Sequence, residues 1–187
     1  MATLDTSHDS FHGLMPRGLL LVIVTYAGAC GGATAESPIT VTLGAPREQV
    51  IRDLESKHRY CAKPEHRPDP TKTDVYQRCE RPGAEWGESW IAAKYEEGKL
   101  VELKRYERFS DDARAVERWN QLVNERMKLA PESAAATAAL RGRPLEPGTR
   151  SMKAFQVDAT TVVGVYLLTP TPPEDASVLE AIVRVSQ

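Results

Sequence analysis

His58, Cys61, His66 and Cys79 are the side chains in this sequence with the most chemistry to offer. Imidazole and thiolate together bind zinc, yet zinc sites use tight pairs such as C-x2-C or H-x3-H, and this order contains neither. The alternative is a disulfide between Cys61 and Cys79, which an oxidising compartment would favour. Closing a loop of that length stabilises a fold by ~3 kcal/mol in the chain-entropy account. The disulfide is the expectation carried forward.

Other arrangements that could catalyse a reaction are missing from the pattern. Ser37, Ser56, Ser89, Ser110 and Ser133 lie outside any G-x-S-x-G elbow. Glu96-Glu97 and Asp111-Asp112 fit a turn and a helix start, not two carboxylates facing across a cleft. No phosphate-binding loop, dinucleotide fingerprint or calcium loop occurs, so a non-catalytic protein without a cofactor is expected. The aromatic cluster Trp86-Gly87-Glu88-Ser89-Trp90 is a candidate binding element, since exposed indoles stack on sugars or anchor protein partners. Trp86 sits among glycine and proline, and Trp90 begins an apolar segment that should pack.

Compartment decides what these residues can do. Leu19 to Ala29 is an apolar run of eleven residues. A spanning helix needs about 20, whereas a secretory h-region needs only ~7–15, with a positive charge before it and small residues after it. Arg17 and Ala27-Gly28-Ala29 supply both. The acidic stretch ahead of Met15 suits an export signal badly, so residues 1–14 are expected to be a non-native extension and 15–29 the signal peptide. With Cys30 outside the fold, Cys61 and Cys79 remain as the pair.

Cleavage has two candidate positions. Ala33-Thr34-Ala35 is an A-x-A site that would leave Glu36 first. Ala27-Gly28-Ala29-Cys30 resembles a bacterial lipobox, in which the cysteine receives a diacylglyceryl group and becomes residue one. That resemblance implies lipidation at Cys30 and a flexible tether over 30–38. Because Gly31 follows the cysteine, it also implies an outer-membrane anchor facing the periplasm.

A net charge of −2 gives no basic footprint for nucleic acid, and 41% hydrophobic residues suffice for a folded globule. A single domain is expected over 39–187, with two subregions at 39–130 and 131–187. Ile39–Leu43 alternates like a short strand, and Pro46 opens an amphipathic helix to about 58 with Val50, Ile51 and Leu54 on one face. KPEHRPDPTKT is a loop, followed by a strand over 74–80. Trp90–Tyr95 and Leu100–Phe109 form a hairpin turning on Glu96-Glu97-Gly98-Lys99. There Val101, Leu103 and Phe109 are expected on one face, with Leu100 and Tyr106 on the other.

Ser110 is placed as the cap of a helix over 111–129 that buries Val116, Trp119, Leu122, Val123 and Met127. A second helical piece follows Pro131, and Met152–Val157 and Val162–Leu168 read as paired strands. Thr171-Pro172-Pro173-Glu174 has capping-box spacing, so a C-terminal helix is expected with Val178, Leu179, Ile182 and Val183 buried. The expected class is α+β: an antiparallel sheet with helices packed on one face and a C-terminal helix.

Two short pieces, Gly44–Val50 and Tyr95–Val101, resemble the SmpA/OmlA (BamE-like) domain family of outer-membrane lipoproteins. The resemblance implies an envelope lipoprotein that binds another envelope protein, and it carries over no functional residue. A periplasmic or secreted binder of cell-wall glycan or a small ligand, using Trp86 and Trp90, is the alternative.

Overall fold

The computed structural model describes residues 36–62, 73–80, 89–169 and 175–185. Cys30, His66, Trp86, the export segment and the expected tether up to residue 35 lie outside them. The class is α+β, as expected. The described residues form ten elements: α1 (Arg47–His58), β1 (Tyr60–Ala62), β2 (Asp74–Arg78), β3 (Ser89–Glu96), β4 (Lys99–Phe109), α2 (Asp112–Leu129), α3 (Ala134–Arg141), β5 (Thr149–Gln156), β6 (Thr161–Leu168) and β7 (Ala176–Arg184). All strand pairs are antiparallel, in the order β1-β2-β3-β4-β7-β6-β5.

The end of the chain departs furthest from the sequence expectation. Val178, Leu179, Ile182 and Val183 belong to a strand, not to a terminal helix. β7 lies between β4 and β6, and both of its faces are covered, so its apolar run is almost continuous. A strand buried on both faces cannot be told from a buried helix by periodicity, and β-branched Val178, Ile182 and Val183 favour the extended form. The same strand joins the two expected subregions into one sheet: Leu103 of β4 faces Ile182, and Ile182 faces Val163 of β6.

Helices cover both faces instead of one. On the first face α1 and α2 bury Val50, Leu54, Ala115 and Leu122 against Leu103, Val163, Val165, Val178 and Ile182. On the second, α3 sets Ala136 and Leu140 on Ala154, Val162, Tyr166, Leu168, Leu179 and Ala181. Ala154, Gly164 and Ala181 are aligned across neighbouring strands, which leaves room there for Tyr166 and Leu140.

The β3–β4 hairpin forms as expected. Glu97 and Gly98 both adopt positive φ (51° and 73°), the requirement of a mirror-image two-residue turn. Tyr95 pairs with Leu100 but Lys94 pairs with Glu102, so Val101 is an extra residue in β4. This bulge shifts the alternation and puts Leu100 in the same core as Leu103, correcting the expected face assignment. The start of α1 docks on the hairpin end: Arg47 N donates to Gly98 O and Leu100 N to Ala45 O.

α2 begins after Asp111, whose side chain accepts from Ala113 N, so Asp111 takes the capping role expected of Ser110. Its buried stripe is Ala115, Arg118, Leu122, Val123 and Arg126, and Met127 is exposed. The expected stripe was therefore rotated toward the apolar residues and away from two buried arginines.

A Cβ added at Gly164 would lie 2.6 Å from Tyr166 Cε2 and 2.8 Å from Leu140 Cδ1. Gly164→Ala should therefore push α3 off the sheet and destabilise by about 1–3 kcal/mol in urea unfolding. An unchanged midpoint would show that the second face is loosely packed.

Candidate functional site

Extended segment 36–42 forms no strand, because its backbone partners are side chains and not a neighbouring ladder. Arg118 Nη2 donates to Glu36 O at 2.6 Å, Arg105 Nη1 to Ser37 O at 2.8 Å, and Arg126 Nη2 to Ile39 O at 2.5 Å. In return Ile39 N donates to Glu180 Oε2 at 3.2 Å. The expected strand over 39–43 is thus a clamped strap. Glu36 and Ser37, expected within the tether, are part of the fold.

The clamp is built on the first face of the sheet, beneath α2. Arg105 and Glu107 alternate with Tyr106 along β4, and Glu180 of β7 sits opposite Arg105. Arg118 and Arg126 are two turns apart on α2, so one reaches Glu107 and the other Glu180. The Glu107 carboxylate accepts from Arg118 Nε at 2.6 Å and Nη2 at 2.8 Å, and pairs with Arg105 Nη2 at 3.2 Å. Glu180 pairs with Arg105 Nη2 at 2.8 Å and accepts from Arg126 Nε at 2.6 Å. Charges alternate along this line, Arg118–Glu107–Arg105–Glu180–Arg126, and Glu36 adds a third carboxylate 3.4 Å from Arg105.

Arg105 is 1% exposed and Glu180 is 1% exposed, so neither charge is solvated by water. Burial alone would lower the Arg105 guanidinium; the charges of Glu180 and Glu107 outweigh it and raise the group above its ordinary value. Tyr60 extends the network, donating to Glu36 and sharing a hydrogen bond with Ser89. Its phenol is raised by burial first and by Glu36 second.

His58 sits at the end of α1, where its Nε2 accepts from Thr40 N at 3.4 Å. Burial and the charge of Arg105 hold the imidazole below its ordinary value, against the opposing charges of Glu180 and Asp53. A neutral His58 is required, because only the unprotonated nitrogen accepts from the strap.

Cys61 and Cys79 are disulfide-bonded, with Cα atoms 4.9 Å apart, and fasten β1 to the end of β2. The bond removes both thiolates from any metal site. Trp90 lies on the second face, its ring stacked on Tyr106 at 5.1 Å with 10° between planes. The Arg108 guanidinium is 6.0 Å from the same ring. Trp90 therefore packs as part of the sheet surface, and its partner Trp86 lies outside the described residues.

A second polar cluster borders α3. Lys104 Nζ donates to Glu146 at 2.5 Å and lies 3.0 Å from Glu102, while Arg143 Nη2 donates to Glu102 at 2.7 Å. Tyr106 donates to Glu146 at 3.4 Å. These groups rim a cavity of about 380 Å³.

Comparison with known protein families, with curated proteins and with solved structures finds no match. The chain's function must therefore be argued from its own residues.

The arginine clamp is absent from the sequence expectation because only apolar residues were counted toward the buried stripe of α2. Its traces are visible in retrospect: Arg118 and Arg126 flank Leu122 at four-residue spacing, and Arg105 and Glu107 continue the Leu103 face.

Glu180→Ala would leave Arg105 and Arg126 buried without their shared carboxylate. We expect a loss of about 3–5 kcal/mol in denaturant unfolding, against less than ~0.5 kcal/mol for Glu96→Ala at the exposed pair with Lys94. The pH dependence has a definite sign. A His58 pKa held below the unfolded value of about 6.5 makes the unfolded state bind the proton first. Stability is therefore full above pH ~6.5 and declines as pH falls through the folded pKa. His58→Gln, which retains an acceptor, should flatten that decline in thermal melts between about pH 7 and pH 5.

Proposed function

We propose that this chain is an exported, lipid-anchored envelope protein whose folded domain is a non-catalytic module that binds another envelope protein. The observation that carries the reading is the joint between address and fold. An export-type apolar run ends in Ala27-Gly28-Ala29-Cys30, and the described domain takes hold of its own backbone six residues later, at Glu36. Six residues from Cys30 to Ala35 can span at most ~20 Å, so a lipidated Cys30 would hold the domain against the membrane surface. Tension on that tether would be received by buried guanidiniums and not by a fraying loop.

Two further observations support the reading. The Cys61–Cys79 disulfide suits an oxidising compartment such as the periplasm. Cleavage at the competing site would create an α-ammonium on Glu36, adding a positive charge where Arg118 and Arg105 already converge. That arrangement disfavours Glu36 as the mature N-terminus and favours Cys30. Among the described residues no helix is long and apolar enough to cross a membrane, so in this reading the anchor is the lipid. The resemblance of Gly44–Val50 and Tyr95–Val101 to SmpA/OmlA lipoproteins points to a protein partner of the outer-membrane envelope. The glycan alternative rests on Trp86, which lies outside the described residues, while Trp90 packs on Tyr106 as expected.

The test is the intact mass and the partitioning of the chain isolated from envelope fractions. The expected result is a chain that begins at Cys30, carries added acyl mass, and moves from the membrane pellet to the soluble fraction in Cys30→Ser. A lipid-free chain beginning at Glu36, or a Cys30→Ser variant that stays in the pellet, would overturn the anchor.

A further inference from the structure

The cavity beside α3 has a floor and a rim of different character. Its floor is apolar, made by Leu140, Ala181 and Val183 with the ring of Tyr166. Ala181 presents only a methyl group to this floor. Pro144, Leu145 and Pro147 of the segment after α3 form its outer wall.

The rim can be examined atom by atom. Both Glu102 oxygens are engaged, one by Lys104 and one by Arg143. Both Glu146 oxygens are engaged too, one by Lys104 and one by Tyr106. Two cations and two carboxylates cancel, so the rim has no net charge with which to draw an ion. The uncommitted groups are donors. Arg143 uses Nη1 on Arg184 O and Nη2 on Glu102, which leaves its Nε–H and the second proton of each Nη. Tyr166 lines the cavity, where its hydroxyl is open to solvent and bonds to none of the described residues. A bound acceptor would take this proton in place of water.

We propose that this cavity binds a small, uncharged, largely apolar molecule carrying one hydrogen-bond acceptor, such as a carbonyl, which takes the Tyr166 proton. An apolar body fits the Leu140-Ala181-Val183 floor, and the neutral rim excludes a bare charge because every rim ion already has its counter-ion. A volume of about 380 Å³ lies at the lower end of the range of small-molecule sites. The site is independent of the membrane anchor and of any protein partner.

The probe is camphor, a compact ketone, with camphene as the control of similar bulk that lacks the acceptor. Amide chemical shifts of the exported, disulfide-intact chain are followed during titration. Camphor should shift residues 102, 104, 140–143, 145, 146, 166, 181 and 183 in a saturable manner, and camphene should bind about tenfold more weakly, the worth of one hydrogen bond. Tyr166→Phe should remove that preference and leave the fold intact, while Ala181→Leu should fill the floor and abolish both. Should Ala181→Leu fail to fold, Tyr166→Phe alone decides. Absence of saturable shifts at these residues, or a camphor preference that survives Tyr166→Phe, would overturn the site.

Discussion

The interaction on which the structure depends most is the buried ion pair between Arg105 and Glu180. It joins the two central strands, β4 and β7, at their registered positions beneath α2. Everything else on that face is arranged to keep these charges paired. Arg126 completes Glu180, Glu107 completes Arg105, and Arg118 completes Glu107. Removing two charges from water costs several kcal/mol per ion, and close geometry with further hydrogen bonds is needed to offset it. The strap supplies part of that compensation, because carbonyls of Glu36, Ser37 and Ile39 receive guanidinium protons that the carboxylates do not use.

This arrangement explains why residues 36–42 are ordered without belonging to the sheet. A backbone segment on the face of a sheet would normally leave its polar groups unsatisfied. Here the sheet face and α2 present charged partners to it, while Ile39 fills the apolar core between them. The result ties the entry of the chain to its last strand, through Ile39 and Glu180. The N-terminal strap, the central hairpin strand, the long helix and the final strand thus share a single network.

Much of the fold was legible from local chemistry. The helix at Arg47–His58, the Glu97-Gly98 turn and the β5–β6 pair all follow from patterns a few residues long. The errors share one cause, which is long-range burial. Val178–Val183 was read as a helix because a strand covered on both faces loses its alternation. The burial of Arg118, Arg126 and Glu180 is not legible locally, because a charge reads as exposed until its partner is known, and the paired residues lie 11 and 54 positions apart. Leu100 was assigned to the wrong face by a bulge at Val101 that only strand pairing creates. Of the binding candidates, Cys61 and Cys79 paired as their number and setting suggested. The cavity at Tyr166 was invisible because a loop, a helix and three strands meet to make it.

The most direct test of this account is hydrogen exchange at a single amide, Ile39 N–H, which donates to buried Glu180. If the ladder holds the strap as part of the fold, this amide exchanges only on global unfolding. Its protection should then match that of the central β4–β7 amides and fall with them across denaturant. Exchange at the rate of an unprotected chain, with β4 and β7 still protected, would contradict the account. It would mean that the strap is loose and that the buried charges are satisfied without it.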